Sequence, residues 1–148
     1  MSSQVAPKTN HILAVDDMPD NLFLIQTLLE GDGYEVSLAE NGESALDHIE
    51  RDPPDLILLD VMMPDMDGYE VTRRIRQNSK LPYIPILLIT AHRRSNIIEG
   101  LSAGANDFIR KPIDLDELLS RVRSLLCLKR DVDQQRKIDR EILSPSSP

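Results

Sequence analysis

Two apolar runs constrain this chain more than any other feature: "LILLD" at residues 56–60 and "IPILLITA" at residues 84–91. Continuous runs of large aliphatics bounded by turn residues read as strands buried on both faces, since a strand with one wet face would alternate. Such strands belong to parallel sheets covered by helices on each side. The first run ends in a carboxylate, Asp60, with "VMMPDMDG" turning the chain behind it. In open α/β sheets ligands bind at the rim formed by the carboxyl ends of the strands. An acid placed there is a candidate site residue, provided other strands bring it partners.

The remaining segments supply the rest of the sheet and its covers. "HILAVDD" predicts a strand over residues 12–15 that ends in Asp16 and Asp17. Leu22, Leu24, Ile25, Leu28 and Leu29 then recur at helical spacing, with Gly31 and Gly33 as stop signals. "YEVSLAE" reads as a second strand, and "NGESALDHIERD" as a helix opened by Asn41 and closed before Pro53. "GYEVTRRIRQN" is a helix turning Val71 and Ile75 inward, and "SNIIEGLSAGA" is a short one. Gly100 inside the latter costs about 1 kcal/mol against Ala. "DFIRKP" is the fifth strand, and "DLDELLSRVRSLLCLK" is a helix capped by Asp114. Leu115, Leu118, Leu119, Val122, Leu125 and Leu126 give that helix a dense face for the sheet. Five strands alternating with five helices make the fold class α/β with a doubly wound parallel sheet. Right-handed crossovers leave few topologies, among them the order 2-1-3-4-5.

Beyond this face the pattern thins to Leu128, Val132, Ile138 and Ile142, with Gln135 between them and a register slip at Ile138. Two readings stand open: a short coiled-coil seam, and a solvated charged helix that frays. "SPSSP" at the end and "MSSQVAPKTN" at the start read as disordered.

Charge narrows the partners. The net charge is −8, and residues 129–148 carry five basic and four acidic side chains, which leaves −9 on the first 128. Direct nucleic-acid binding needs clustered Lys and Arg, so it is not expected. The single cysteine, Cys127, excludes an internal disulfide and fits a reducing compartment. With no membrane-length apolar stretch and no signal-peptide core after Met1, a soluble cytoplasmic protein is expected.

A parallel sheet delivers every strand's carboxyl end to one rim. Strand one ends in Asp16 and Asp17, strand three in Asp60, strand four in Thr90 and strand five in Lys111. Clustered carboxylates repel one another unless a cation joins them, and an all-oxygen donor set of this kind suits Mg²⁺. The fitting chemistry is phosphoryl transfer onto a carboxylate nucleophile. Asp60 would attack, the metal and Lys111 would neutralise the phosphoryl oxygens, and Thr90 would donate a hydrogen bond to one of them.

Over about residues 10–128 the sequence resembles the receiver domains of two-component response regulators. The carrying motifs are "AVDD", "LILLDVMMPDMDG", "LLITA" and "DFIRKP". The resemblance implies the flavodoxin-like sheet of order 2-1-3-4-5, with Asp60 as phosphoacceptor for a histidine kinase or a histidine phosphotransfer protein. It implies that Asp17 binds Mg²⁺ directly, Asp16 largely through water, and Met62 by its backbone carbonyl. It implies a cis bond at Lys111–Pro112, a residue type to which cis bonds are largely confined. Gly68 would open the turn beyond the site loop. Thr90 and Phe108 would be the switch pair, altering the face built from helix four, strand five and helix five. Met62 and His92 would set the lifetime of the phosphoryl group. The resemblance further implies self-catalysed phosphorylation and dephosphorylation rather than turnover of an external substrate.

Other readings fit less well. Aligning "DMDG" as a calcium loop puts Met63 first and Arg74 twelfth, where acids are required. "GDGYEV" lacks the third glycine of a dinucleotide fingerprint. His11, His48 and His92 lack metal-ligand spacing and are expected at the surface. Two functional alternatives remain: a phosphorylation-independent adaptor, and a Mg²⁺-dependent phosphohydrolase, which would want an acid where Met62 stands. The expected organisation is a disordered 1–9, a receiver domain 10–128, a helical extension or linker 129–143 and a disordered tail 144–148. The chain is either a stand-alone regulator or the receiver part of a longer one. Self-association through the face of helices four and five, extended by the C-terminal helix, is the expected output.

Overall fold

The computed structural model describes residues 9–91 and 94–143. The strands are β1 (His11–Val15), β2 (Glu35–Ala39), β3 (Leu56–Asp60), β4 (Ile86–Thr90) and β5 (Asp107–Arg110). Between and after them run α1 (Pro19–Gly31), α2 (Gly42–Arg51), α3 (Gly68–Gln77), α4 (Arg94–Ala103) and α5 (Leu115–Leu143). All strand pairs are parallel, in the order β2-β1-β3-β4-β5.

Successive side chains of a strand point to opposite faces, and both faces are used here. Ile12, Ala14, Leu56, Leu58, Leu87 and Ile89 pack with Leu22, Ile25 and Leu29 of α1 and Leu118 and Val122 of α5. Leu13, Val15, Ile57, Leu59, Ile86 and Leu88 pack with Ala45 and Ile49 of α2 and Val71 and Ile75 of α3. Every residue of β3 and β4 is therefore buried, which is why neither run alternates. Three of the helices, α2, α3 and α5, start at side-chain caps. Asn41 Oδ1 accepts from the Ser44 N–H at 2.8 Å, and Asp114 Oδ1 accepts from the Glu117 N–H at 3.1 Å. Asp67 caps α3 in the same way, on the Glu70 N–H at 2.9 Å.

Several expectations need correction. Leu24 is 49 % exposed, because it lies about 130° round α1 from the stripe of Leu22, Ile25 and Leu29. Leu115 is exposed as well, in the first turn of α5 before the helix meets the sheet. β4 starts at Ile86 rather than residue 84, since Pro85 has no N–H to give to a ladder. His11 is not a surface residue. Its Nε2 lies 2.7 Å from Ser37 Oγ, and its ring centroid lies 5.6 Å from that of the half-buried His48. Among the described residues the C-terminal segment is helical throughout, as α5 runs unbroken for 29 residues. Residues 1–8 and 144–148, for which disorder is expected, lie outside the described residues, as does His92.

Candidate functional site

The expected residues meet at the carboxyl rim of the sheet. Asp60 ends β3 and is 1 % exposed, and Asp16 follows β1 and is equally buried. Asp17 beside it is exposed. Each of the three offers a carboxylate oxygen, and these oxygens lie within 4.8 Å of one another. Thr90 ends β4 and is buried. Lys111 follows β5 and sends its Nζ to 3.3 Å from Asp60 Oδ2.

The neighbouring backbone fixes these side chains. Asp60 Oδ1 accepts from the Met62 N–H at 3.3 Å, so the turn after β3 folds back on its own carboxylate. Asp16 Oδ1 accepts from the Met18 N–H at 2.9 Å, and its Oδ2 accepts from Asn21 Nδ2 at 3.2 Å. Asn21 escapes sequence reasoning because an amide in the first turn of a helix reads as solvated. The Lys111 N–H donates to the Thr90 carbonyl at 2.8 Å, and the Lys111–Pro112 bond is cis, as expected. Gly68 closes the loop from below, its N–H on the Val61 carbonyl at 3.0 Å. A Cβ there would lie 2.7 Å from the Asp60 carbonyl oxygen, so only glycine fits against this strand end.

Burial raises the Asp60 pKa, and the nearby Asp16 carboxylate raises it further. Lys111 and the Met62 N–H pull it back down. Three carboxylates against one ammonium leave two formal negative charges in excess. An all-oxygen donor set with that excess fits a hard divalent cation such as Mg²⁺. The Met62 side chain is 57 % exposed above the site. Phe108 pairs with Leu88 across the β4–β5 ladder and is half-buried against the α2–α3 side of the core.

The model of the response regulator receiver domain matches residues 12–123. The chain belongs to the receiver domains of response regulators. The response regulator PleD of Caulobacter vibrioides (strain NA1000 / CB15N) is 47 % identical over 127 residues, covering 85 % of this chain and 28 % of PleD. The response regulator MprA of Mycobacterium leprae (strain TN) is 46 % identical over 116 residues, 78 % of this chain and 50 % of MprA. A response regulator from Chloroflexus aurantiacus J-10-fl superposes with a TM-score of 0.78 at 40 % identity, covering 81 % of this receiver and 99 % of that chain. This receiver thus spans half or less of the length of those two curated relatives. The match favours neither the adaptor nor the phosphohydrolase alternative. Among the described residues, no helix is long and apolar enough to cross a membrane.

Proposed function

We propose that this receiver takes a phosphoryl group from the phosphohistidine of a histidine kinase or histidine phosphotransfer protein onto Asp60. An Asp60 oxygen attacks phosphorus as the P–N bond breaks, and the bonding pair returns to the imidazole. The product is an acyl phosphate. The observation that carries this reading is a carboxylate 1 % exposed, with an ammonium 3.3 Å away and two further carboxylates at hand. A bound Mg²⁺ would supply charge neutralisation for the phosphoryl oxygens, with Asp16, Asp17, Asp60 and the Met62 carbonyl as the groups that would hold it. Lys111 pairs with a phosphoryl oxygen once Asp60 is phosphorylated, and the Thr90 hydroxyl donates to another. The receiver's own residues then catalyse loss of the phosphoryl group to water, at a rate set by Met62 and His92.

The same reading assigns the output. Drawing Thr90 inward makes room for Phe108, and the α4-β5-α5 face changes its affinity for a second copy or another protein. The C-terminal helix extends that contact. A free-energy difference of a few kcal/mol is enough for such a switch. The acidic surface makes a protein in the cytoplasm, rather than a nucleic acid or a membrane, the expected partner.

Phosphorylation by a small acyl phosphate, followed by intact mass and peptide mapping, tests the proposal. A Mg²⁺-dependent phosphoryl adduct on Asp60, absent in Asp60→Asn, is expected. No adduct with Mg²⁺ present, or the same adduct in Asp60→Asn, would overturn it.

A further inference from the structure

α5 is about 44 Å long at 1.5 Å per residue, far longer than the sheet it covers. Its buried apolar contacts end at Leu126. A charged helix continuing from there has little intrinsic stability, because short isolated helices are marginal in water. Yet Lys129, one turn further on, is only 8 % exposed. Its ammonium donates to the Tyr83 carbonyl at 2.8 Å and pairs with Asp133 at 2.9 Å. The Arg136 guanidinium lies 5.5 Å from the centroid of the Tyr83 ring, at cation–π distance. The segment just before β4 therefore grips the helix at two points about two turns apart.

Tyr83 is itself fastened from the opposite side. Its hydroxyl accepts from Asn106 Nδ2, and Asn106 Oδ1 accepts from Arg76 Nη2 and the Ile86 N–H, both at 2.8 Å. Arg76 also donates to the carbonyls of Gly104 and Ile84 at 2.8 and 2.7 Å, and its guanidinium lies 5.5 Å from the same ring centroid. Gly104, at φ +113°, has its α-carbon where a Cβ would lie 2.7 Å from Arg76 Cγ. Asn106 immediately precedes β5, and Asp107, the first residue of β5, pairs with Arg121 of α5 at 2.6 Å.

We infer that Tyr83 is the anchor of a clamp that holds residues 129–140 of the C-terminal helix to the domain and ties their direction to the start of β5. The helix then leaves the domain as one rod in a fixed orientation, and a displacement of β5 is delivered to it through Asn106–Tyr83 and Asp107–Arg121. The clamp stands on contacts remote from Asp60 and does not depend on the phosphoryl reading.

Hydrogen exchange on the full chain, read by peptide mass spectrometry, tests it without a phosphodonor. Amides of residues 130–140 are expected to be protected in the wild type. Tyr83→Leu should speed their exchange about tenfold or more, together with that of residues 107–110, while β1 and β3 stay unchanged. Arg136→Gln, a surface change that leaves the core alone, should release residues 130–140 only. Unprotected wild-type amides at 130–140, or no change there in either variant, would overturn the clamp. Release of the helix in Tyr83→Leu with β5 unaffected would overturn the coupling.

Discussion

Gly68 lies against the backbone of Asp60, so closely that a Cβ at position 68 would sit 2.7 Å from the Asp60 carbonyl oxygen and 2.9 Å from Val61 Cα. The obstacle is main chain in a central strand, which cannot swing aside as a side chain can. Gly68→Ala is therefore expected to cost about 1–3 kcal/mol by overpacking. Denaturant unfolding monitored by circular dichroism reads this directly, and an unchanged midpoint would contradict the close approach.

Asp60→Asn should stabilise the metal-free protein at neutral pH. Folding raises the Asp60 pKa, chiefly through burial and then through Asp16, so the ionised group opposes folding. That penalty is complete above the folded-state pKa, shrinks as pH falls through it, and is gone below the unfolded value. In a chelator the variant should gain about 1–3 kcal/mol at pH 7, and the gain should fade on acidification. Thermal melts across pH check both sign and slope.

Mg²⁺ is expected to reverse that order. It binds the folded wild type and not the unfolded chain, so it should raise Tm with concentration until a chelator removes it. Asp17→Asn removes an exposed carboxylate from the oxygen cluster and should weaken Mg²⁺ binding about tenfold or more by calorimetry. An unaltered Mg²⁺ affinity would take Asp17 out of the set.

Lys111→Met separates charge neutralisation from metal binding. The Nζ at 3.3 Å from Asp60 is the only cation the described residues place on that carboxylate. Its loss should slow phosphoryl transfer from a small donor about 100-fold, while Mg²⁺ affinity is kept or improved. Parallel measurement of adduct formation and Mg²⁺ binding distinguishes this from misfolding, which would lower both.

His48 should contribute a further pH dependence at the opposite end of the sheet. Its pKa is lowered, first by burial and then by His11. The unfolded chain therefore binds the proton more readily, and stability falls as pH drops through the unfolded value of about 6.5. His48→Gln should flatten that part of the stability profile, read from Tm at closely spaced pH values.

Local patterns carried most of the site because it is built from strand ends. Asp16, Asp17, Asp60 and Thr90 lie at the ends of apolar runs and Lys111 follows the short strand β5, and parallel pairing sends all strand ends to one rim whatever the side-chain packing. Asn21 on Asp16 carries no such mark, because an asparagine in a first helical turn looks the same with or without a buried acceptor. His11 misled for a related reason, since its burial depends on Ser37 and on α2 rather than on its own neighbours in sequence.

By itself the sequence determined the five α/β units, the parallel sheet with two covered faces and the acidic rim. Each arises from the period of apolar residues and from caps that act within a turn. Only the tertiary structure decided that Gly68 touches Asp60, that Lys129 is buried, and that Tyr83 gathers Arg76, Asn106 and Arg136 into one clamp. Those contacts join residues 7 to 53 positions apart, and their energies come from desolvation and directed hydrogen bonds that exist only once the sheet has brought the segments together.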